Sequence, residues 1–488
     1  ISFQLSYGSV LILALRIDAT AREDAEPRTS MWSRVKYWTM EAGHTSALIT
    51  LATLPLVAFH FNQVPWLGLI VNLLVIPFVG FVLLPFCLMA AGWIVATKSA
   101  TVPAGFLIES LSHGMIEIVH FLADLPGAEW HVAAPTLPTM LLFYALGWSM
   151  LRLASSDRRA ALRPTIGFGM ALLLAWWIWS PRFFPEQDHI RVTFLDVGQG
   201  DSAVIELPHG VTMLVDGGAA YERFDMGRAV VAPFLWNRGI RHVDHVVGTH
   251  PQLDHVGGLA WVLQHFDIGT VWTNGLTRPE PFWQQIEQTV MRRHLTPLTA
   301  GPDRQVPMPG PCRLTFLNPP ADRSILTSRE AKSLNNQSVV TQLSCQNRLM
   351  LFTGDIEREA LMRLHREGRT EHLTVLKVPH HGARNSLEPA WLQTAAPEIA
   401  VISAGRHNAY GHPAGEVLAA YRAIGTEVMR TDRHGAIWVD IDLSQNRLLV
   451  RSMDDWRLER LDRPDRLSDL LSGEGANLTR LWDRWNWR

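Results

Sequence analysis

Between residues 47 and 179 the chain carries apolar runs that approach or reach bilayer length, and this limits its fold more than any other feature. The runs are residues 47–61, 66–96, 139–151 and 165–179, the last ending in Trp176, Trp177 and Trp179. A helix needs about 20 predominantly apolar residues to cross the hydrocarbon, and Trp gathers at its borders, so these are transmembrane candidates, the first and third short. Pro77, Gly80, Pro85 and Gly92 punctuate the long run. Such residues break or kink helices, so a broken or re-entrant helix is expected there, with one long kinked span as the alternative.

Ile1 opens directly into the apolar run 1–15 without a charged leader, so the chain reads as a piece cut inside a larger protein. Basic residues cluster after that run (Arg16, Arg22, Arg28, Arg34, Lys36) and after Leu151 (Arg152, Arg158, Arg159, Arg163), whereas residues 126–138 carry none. The positive-inside rule puts both clusters in the cytoplasm and 126–138 outside, and a single crossing by 165–179 then leaves everything after it outside. Glu109, His113, Glu117, His120 and Asp124 recur on one face of a helix whose other positions are largely apolar. Three readings stay open: an aqueous path, pairing with basic groups, or a helix lying in the membrane interface.

The second part has a different texture. After Pro185, short β-branched runs alternate with helical patterns such as residues 257–264, 281–292, 356–366 and 414–423, which predicts an α/β domain of about 250 residues. Residues 451–488 read as a polar surface tail. Charged residues are 18% of the whole and hydrophobic ones 47%, which excludes a largely disordered chain or a collagen-like fibre. The net charge of -2 excludes a basic nucleic-acid coat protein. Three cysteines exclude a multi-disulfide framework or an all-cysteine zinc site, so a metal must be held by His and carboxylates. Cys312 and Cys345 are either paired, if the domain lies outside, or buried free thiols.

The sharpest chemistry lies in Thr249-His250-Pro251-Gln252-Leu253-Asp254-His255-Val256-Gly257-Gly258, directly after a strand. A strand end followed by closely spaced ligand-type groups and two glycines lets side chains converge while the backbone packs closely. Asp355 and the pair His380-His381 end two further apolar strands, and open α/β sheets gather ligand sites at strand ends. Such imidazoles and carboxylates suit zinc, manganese or iron. Asp216-Gly217-Gly218 reads as a turn at a strand end, and His242, His245 and His265 as surface or satisfied histidines.

Seven motifs occur in one order: Asp196-Val197-Gly198-Gln199-Gly200-Asp201-Ser202, Val215-Asp216-Gly217-Gly218, the His250–His255 block, Asn335-Asn336-Gln337-Ser338-Val339, Thr353-Gly354-Asp355, Val378-Pro379-His380-His381-Gly382 and Tyr410-Gly411-His412-Pro413. This series resembles the metallo-β-lactamase-like domain of ComEC-type DNA-uptake proteins. The upstream Phe3-Gln4-Leu5-Ser6-Tyr7 and Asn62-Gln63-Val64-Pro65-Trp66-Leu67-Gly68 look like the membrane competence domain of the same family.

The resemblance implies a multi-domain protein: a partial α-helical transmembrane bundle at residues 1–185, an αββα sandwich at 186–449 and a tail at 450–488. It implies two divalent metals, manganese or zinc. His250 would bind the first, with Gln252 as a weak oxygen ligand where relatives carry Asp or His. Asp254, His255 and either His380 or His381, with His381 favoured, would bind the second, and Asp355 would bridge them. A site of this kind hydrolyses phosphodiesters without a serine or cysteine nucleophile. Asp254 and Asp355 then carry the catalysis. Asp201 would orient the attacking water, and His412 would contact a phosphate or protonate the leaving group.

The leading expectation is therefore a bacterial inner-membrane protein of natural transformation that passes single-stranded DNA and bears an external metal-dependent nuclease. The implied partners are single-stranded DNA, the lipid bilayer, DNA-receptor and cytoplasmic translocation proteins of the competence machinery, and a second copy of the chain. Two other readings are a channel whose lactamase-like domain only binds DNA or is structural, and a hydrolase of another ester or small phosphodiester.

Overall fold

The computed structural model describes residues 2–20, 30–154, 163–183 and 189–453, except positions 100, 104, 124, 126, 129, 223 and 303. Two compact units emerge. One comprises Ile1–Pro181 with Trp236–Gly239, the other Arg182–Leu235 with the described residues from Ile240 onward.

The first unit is helical. Among the described residues, three stretches are long and apolar enough to cross a membrane: Met40–Phe61, Ile70–Thr97 and Gly105–Ala123. The apolar helices Leu137–Met150 and Pro164–Trp177 fall short of that length. They contain most of the expected spans at 139–151 and 165–179. Gly105–Ala123 was singled out only for its ionisable stripe, of which Glu109, His113, Glu117 and His120 are exposed. Asp124 lies outside the described residues, as do Arg22, Arg28, Arg158 and Arg159.

The long run is not broken, which corrects the expectation of a re-entrant helix. Gly68–Phe78 passes through a widened turn, Val79–Leu83, into Leu84–Thr97. There the N–H of Leu84 bonds to the carbonyl of Val79, five residues back. Pro85 has no N–H to give the carbonyl four residues before it, and a π-type turn just upstream absorbs that missing bond without ending the helix.

The second unit is built on two sheets. The first runs in space Leu298–Thr299, Asp267–Thr273, His242–Val247, Thr212–Val215, Ala203–Glu206, His189–Phe194, Ile437–Asp442, Arg447–Ser452. The second runs Gln305–Pro307, Cys312–Asn318, Val340–Cys345, Arg348–Phe352, Val375–Lys377, Ile399–Ile402, Glu427–Arg430. Alternate residues of each strand enter a shared core: Ile190, Val192 and Phe194; Ile437, Val439 and Ile441; Leu314 and Phe316; Met350 and Phe352. The rings of Phe194 and Phe352, one from each sheet, lie 6.0 Å apart, and those of Trp272 and Phe316 5.0 Å apart.

The opposite parity of the second sheet, Leu351, Leu376, Ala400 and Ile402, packs on Leu361 and Leu364 of helix Arg358–Arg366, Trp391 of Pro389–Ala395 and Tyr421 of Gly415–Ala423. On the first sheet that parity is buried too, at Val204, Leu214 and Val246, while helices Leu259–His265 and Pro281–Arg292 bury Val262, Leu263, Ile286 and Val290. The layers are helix, sheet, sheet, helix, as a sandwich requires when both faces of each sheet are apolar.

Cys312 and Cys345 face each other across antiparallel strands and form a disulfide. Of the two readings of these cysteines, the structure takes the pair. The final strand, Arg447–Ser452, runs past the expected domain end at Leu449, and residues 454–488 of the tail lie outside the described residues.

Candidate metal centre

Four strand ends supply the centre. His250 to His255 follow strand His242–Val247, Asp355 follows Arg348–Phe352, and His380 and His381 follow Val375–Lys377. Asp201 comes from the loop between His189–Phe194 and Ala203–Glu206. Backbone bonds tie these segments together: Val339 N–H to the Thr249 carbonyl at 2.7 Å, Asp201 N–H to the Asp254 carbonyl at 3.1 Å, and His380 N–H to the Gly354 carbonyl at 3.3 Å. Gly200 sits at φ 141°, and a Cβ there would overlap the Asp254 carbonyl, so this crossing demands glycine. His380 and His381 both hold left-handed backbone, φ 48° and 54°. For non-glycine residues that costs roughly 1–2 kcal/mol each, a strain that turns two adjacent imidazoles into one site.

The side chains converge. Asp355 Oδ2 lies 3.1 Å from His255 Nε2, 3.4 Å from His381 Nε2 and 3.9 Å from His380 Nε2. Asp254 Oδ2 is 3.6 Å from His381 Nε2. One ligand atom from each of Asp201, His255, Asp355 and His381 falls within 4.8 Å of the others, all buried. His255 Nε2, His381 Nε2, His250 Nε2 and Asp355 Oδ1 are buried without a hydrogen-bond partner. A buried polar atom left unpaired costs about 1–3 kcal/mol, so a cluster of them aimed at one point fits a divalent cation.

The surroundings orient these groups. His255 Nδ1 lies 2.8 Å from Asp216 Oδ2, and that carboxylate also accepts from Thr249 N–H and Thr249 Oγ1, each at 2.8 Å. His381 Nδ1 meets the Ser403 carbonyl at 2.9 Å and Asp201 Oδ1 at 3.5 Å. Asp201 therefore contacts the ring edges facing away from Asp355, and it pairs with Lys377 Nζ. Lys377 is buried and also reaches Asp355 Oδ1 at 3.7 Å. Neither Lys377 nor the positioning role of Asp216 was legible in the sequence: a lysine in an apolar strand reads as an exposed position, and Asp216-Gly217-Gly218 reads as a turn. Their burial was the missing signal.

The remaining candidates lie on one flank. His250 Nδ1 meets Thr249 Oγ1 at 3.0 Å and Ser338 Oγ at 3.2 Å. Gln252 Nε2 donates to Asn335 Oδ1 at 2.8 Å, and Asn335 Nδ2 lies 3.4 Å from His380 Nε2. The His412 ring is 5.6 Å from that of His380 and 6.4 Å from that of His381. Outside the centre, His242 pairs with Asp267 at 2.8 Å and His265 Nδ1 meets the Trp261 carbonyl at 2.8 Å.

Burial, helped by the neighbouring His255, pushes His250 down to about 4 and keeps it neutral. Burial also opposes charge on His255 and His381, yet Asp355 leads several carboxylates that hold both well above the usual imidazole range. Asp355 is pulled well below the usual carboxylate range by His255 and His381 despite its burial. Lys377 is raised by Asp201 and Asp355 against the same desolvation. Burial first, then His380 and His381, lower His412. The carboxylates thus draw positive charge to this point, and a divalent cation can take the place of the protons.

A helix–sheet–sheet–helix sandwich with a buried His and Asp cluster at its strand ends defines a metallo-β-lactamase domain, and residues 195–406 match the Metallo-beta-lactamase superfamily. Residues 1–156 match the Competence protein family. The chain thus carries a competence-protein domain followed by a metallo-β-lactamase domain, and its relatives include competence proteins of the ComEC type. It is 26% identical over 426 residues to ComE operon protein 3 of Bacillus subtilis, covering 84% of this chain and 53% of that protein. It is 27% identical over 390 residues to competence protein ComA of Neisseria gonorrhoeae, covering 80% and 50%. The chain spans about half the length of the curated relatives it matches. Among solved structures, the metallo-β-lactamase fold protein YhfI of Bacillus subtilis aligns at 14% identity and TM-score 0.31, covering 50% of this chain and 96% of that one.

Proposed function

We propose that this chain acts in natural transformation at a bacterial inner membrane, where its helical unit passes a single DNA strand and its second unit hydrolyses phosphodiesters of incoming DNA outside the membrane. The observation that carries the hydrolytic half is the convergence of His255, Asp355 and His381 on one point with buried, unpaired polar atoms. A divalent cation such as manganese or zinc held there would supply the Lewis acidity that phosphodiester hydrolysis needs at neutral pH.

The chain's own groups divide the remaining work. Asp254, His255, Asp355 and His381 would hold the cation, while Asp216 and Asp201 orient the two imidazoles through Nδ1. A second cation would be held by His250 and Gln252, and more weakly, because a neutral carboxamide is a poor oxygen ligand. His412, kept neutral at pH 7, donates an N–H to a substrate phosphate.

The external placement is supported by the basic clusters flanking the membrane segments and by the Cys312–Cys345 disulfide, a bond that persists in oxidising compartments. The partners are single-stranded DNA, the bilayer, and the receptor and translocation proteins of the competence machinery.

The test uses the purified full chain with manganese or zinc and a single-stranded oligonucleotide. Cleavage is expected, with loss on chelation and on Asp254→Ala or Asp355→Ala. A chain that binds the cation and DNA yet cleaves nothing leaves the second unit a binding module. A reporter fused after Trp179 is expected outside, and cytoplasmic activity of that fusion reverses the topology.

A further inference from the structure

We propose that Tyr410 is a base-stacking residue that makes the centre select unstacked, single-stranded nucleotides. This rests on reading the centre as a DNA phosphodiesterase and adds the form of substrate that it takes.

Tyr410 is 71% exposed. Its ring stacks on His412, with centroids 5.7 Å apart and planes 25° apart. His412 in turn adjoins His380 and His381. A run of rings therefore leads from solvent to the imidazoles beside Asp355. A Cβ at the next residue, Gly411, would meet no atom of any other segment within 4 Å, so the loop backbone there borders open space.

The loop is held in place. Asn408 Nδ2 donates to the carbonyls of Gly405 at 2.9 Å and His412 at 2.6 Å, and Asn408 Oδ1 accepts from His412 N–H at 3.0 Å. Gly405 N–H donates to Gln199 Oε1 at 3.1 Å, fastening the loop to the segment that carries Asp201. A pre-ordered aromatic ring loses little freedom when a ligand settles on it. Every nucleobase offers a flat face to such a ring, whereas a base inside a duplex has its faces covered by its neighbours. A base resting on Tyr410 would bring its own phosphate toward His412 and the cation ligands.

The experiment compares the full chain with Tyr410→Ala and Tyr410→Phe on oligonucleotides carrying 2-aminopurine, whose fluorescence is quenched on stacking, and on a fully abasic strand of equal length. Wild type and Tyr410→Phe are expected to quench the probe, and Tyr410→Ala is not. KM for the single strand is expected to rise about tenfold in Tyr410→Ala, with a smaller change in kcat and little difference between Tyr and Ala on the abasic strand. Equal quenching and equal KM in wild type and Tyr410→Ala would overturn the proposal, even with hydrolysis intact. Quenching that depends on Tyr410 without any cleavage would leave the stacking role standing and remove the hydrolase. Absence of quenching in the wild type removes the stacking role outright.

Discussion

His255 Nδ1 lies 2.8 Å from Asp216 Oδ2, which turns its Nε2 to face Asp355 Oδ2 at 3.1 Å. The carboxylate sets the angle of the ring, and with a cation bound it would keep the proton on Nδ1. Such supporting groups carry about 10–100-fold in metal affinity. Asp216→Asn should therefore weaken cation binding by about that factor in calorimetric titration, with far-UV circular dichroism unchanged. Undiminished affinity would reduce Asp216 to a turn residue.

Lys377 is a buried ammonium between two buried carboxylates, Asp201 and Asp355. Removing one partner of a buried pair leaves uncompensated charge, which costs about 3–5 kcal/mol. Lys377→Met should lower stability by that order in denaturant unfolding without metal. Saturating cation, whose charge also faces Asp355, should recover part of the loss.

Without metal, stability should peak near the ordinary histidine pKa. His255 and His381 are raised in the folded protein, so their contribution is fully present below about pH 6.5 and is lost as pH rises through their folded values. His250, His380 and His412 are lowered, so the stability they preserve above about pH 6.5 is lost as pH falls, for His250 down to about 4. Bound cation needs deprotonated ligands and should reverse the alkaline limb. Thermal melting against pH with chelator and with manganese checks both limbs. An alkaline limb of the same slope in both conditions would exclude His255 and His381 as ligands.

Gln252 Nε2 donates to Asn335 Oδ1 on the His250 flank. Gln252→Asp places a charged oxygen there and should tighten binding of a second cation at least tenfold, or about 1.4 kcal/mol. Unchanged stoichiometry and affinity in metal titration would show that position 252 does not contact the metal.

Local patterns carried much of this molecule. The His250–His255 block reads as a ligand loop because closely spaced donors and two glycines sit on one strand exit, and the two-fold parity of strands such as His189–Phe194 gives the buried sandwich. The long apolar run misled: the helix continues through Pro77, inside Gly68–Phe78, and through Pro85, and proline signals a missing bond but not whether the helix ends there. Cys312 and Cys345 stand 33 residues apart, and only strand register shows that they face each other.

Residue types, spacing and apolar period, all properties of neighbours along the chain, are what the sequence by itself determined here: membrane-length helices, an α/β domain and a set of donor residues. Tertiary structure decided which donors share a centre, that Asp216 and Lys377 lie against it, and that Asp201 lies beside the Nδ1 atoms of His255 and His381. Those outcomes depend on which strand ends lie side by side and on how deeply each charge is buried, and both are settled only when distant segments pack.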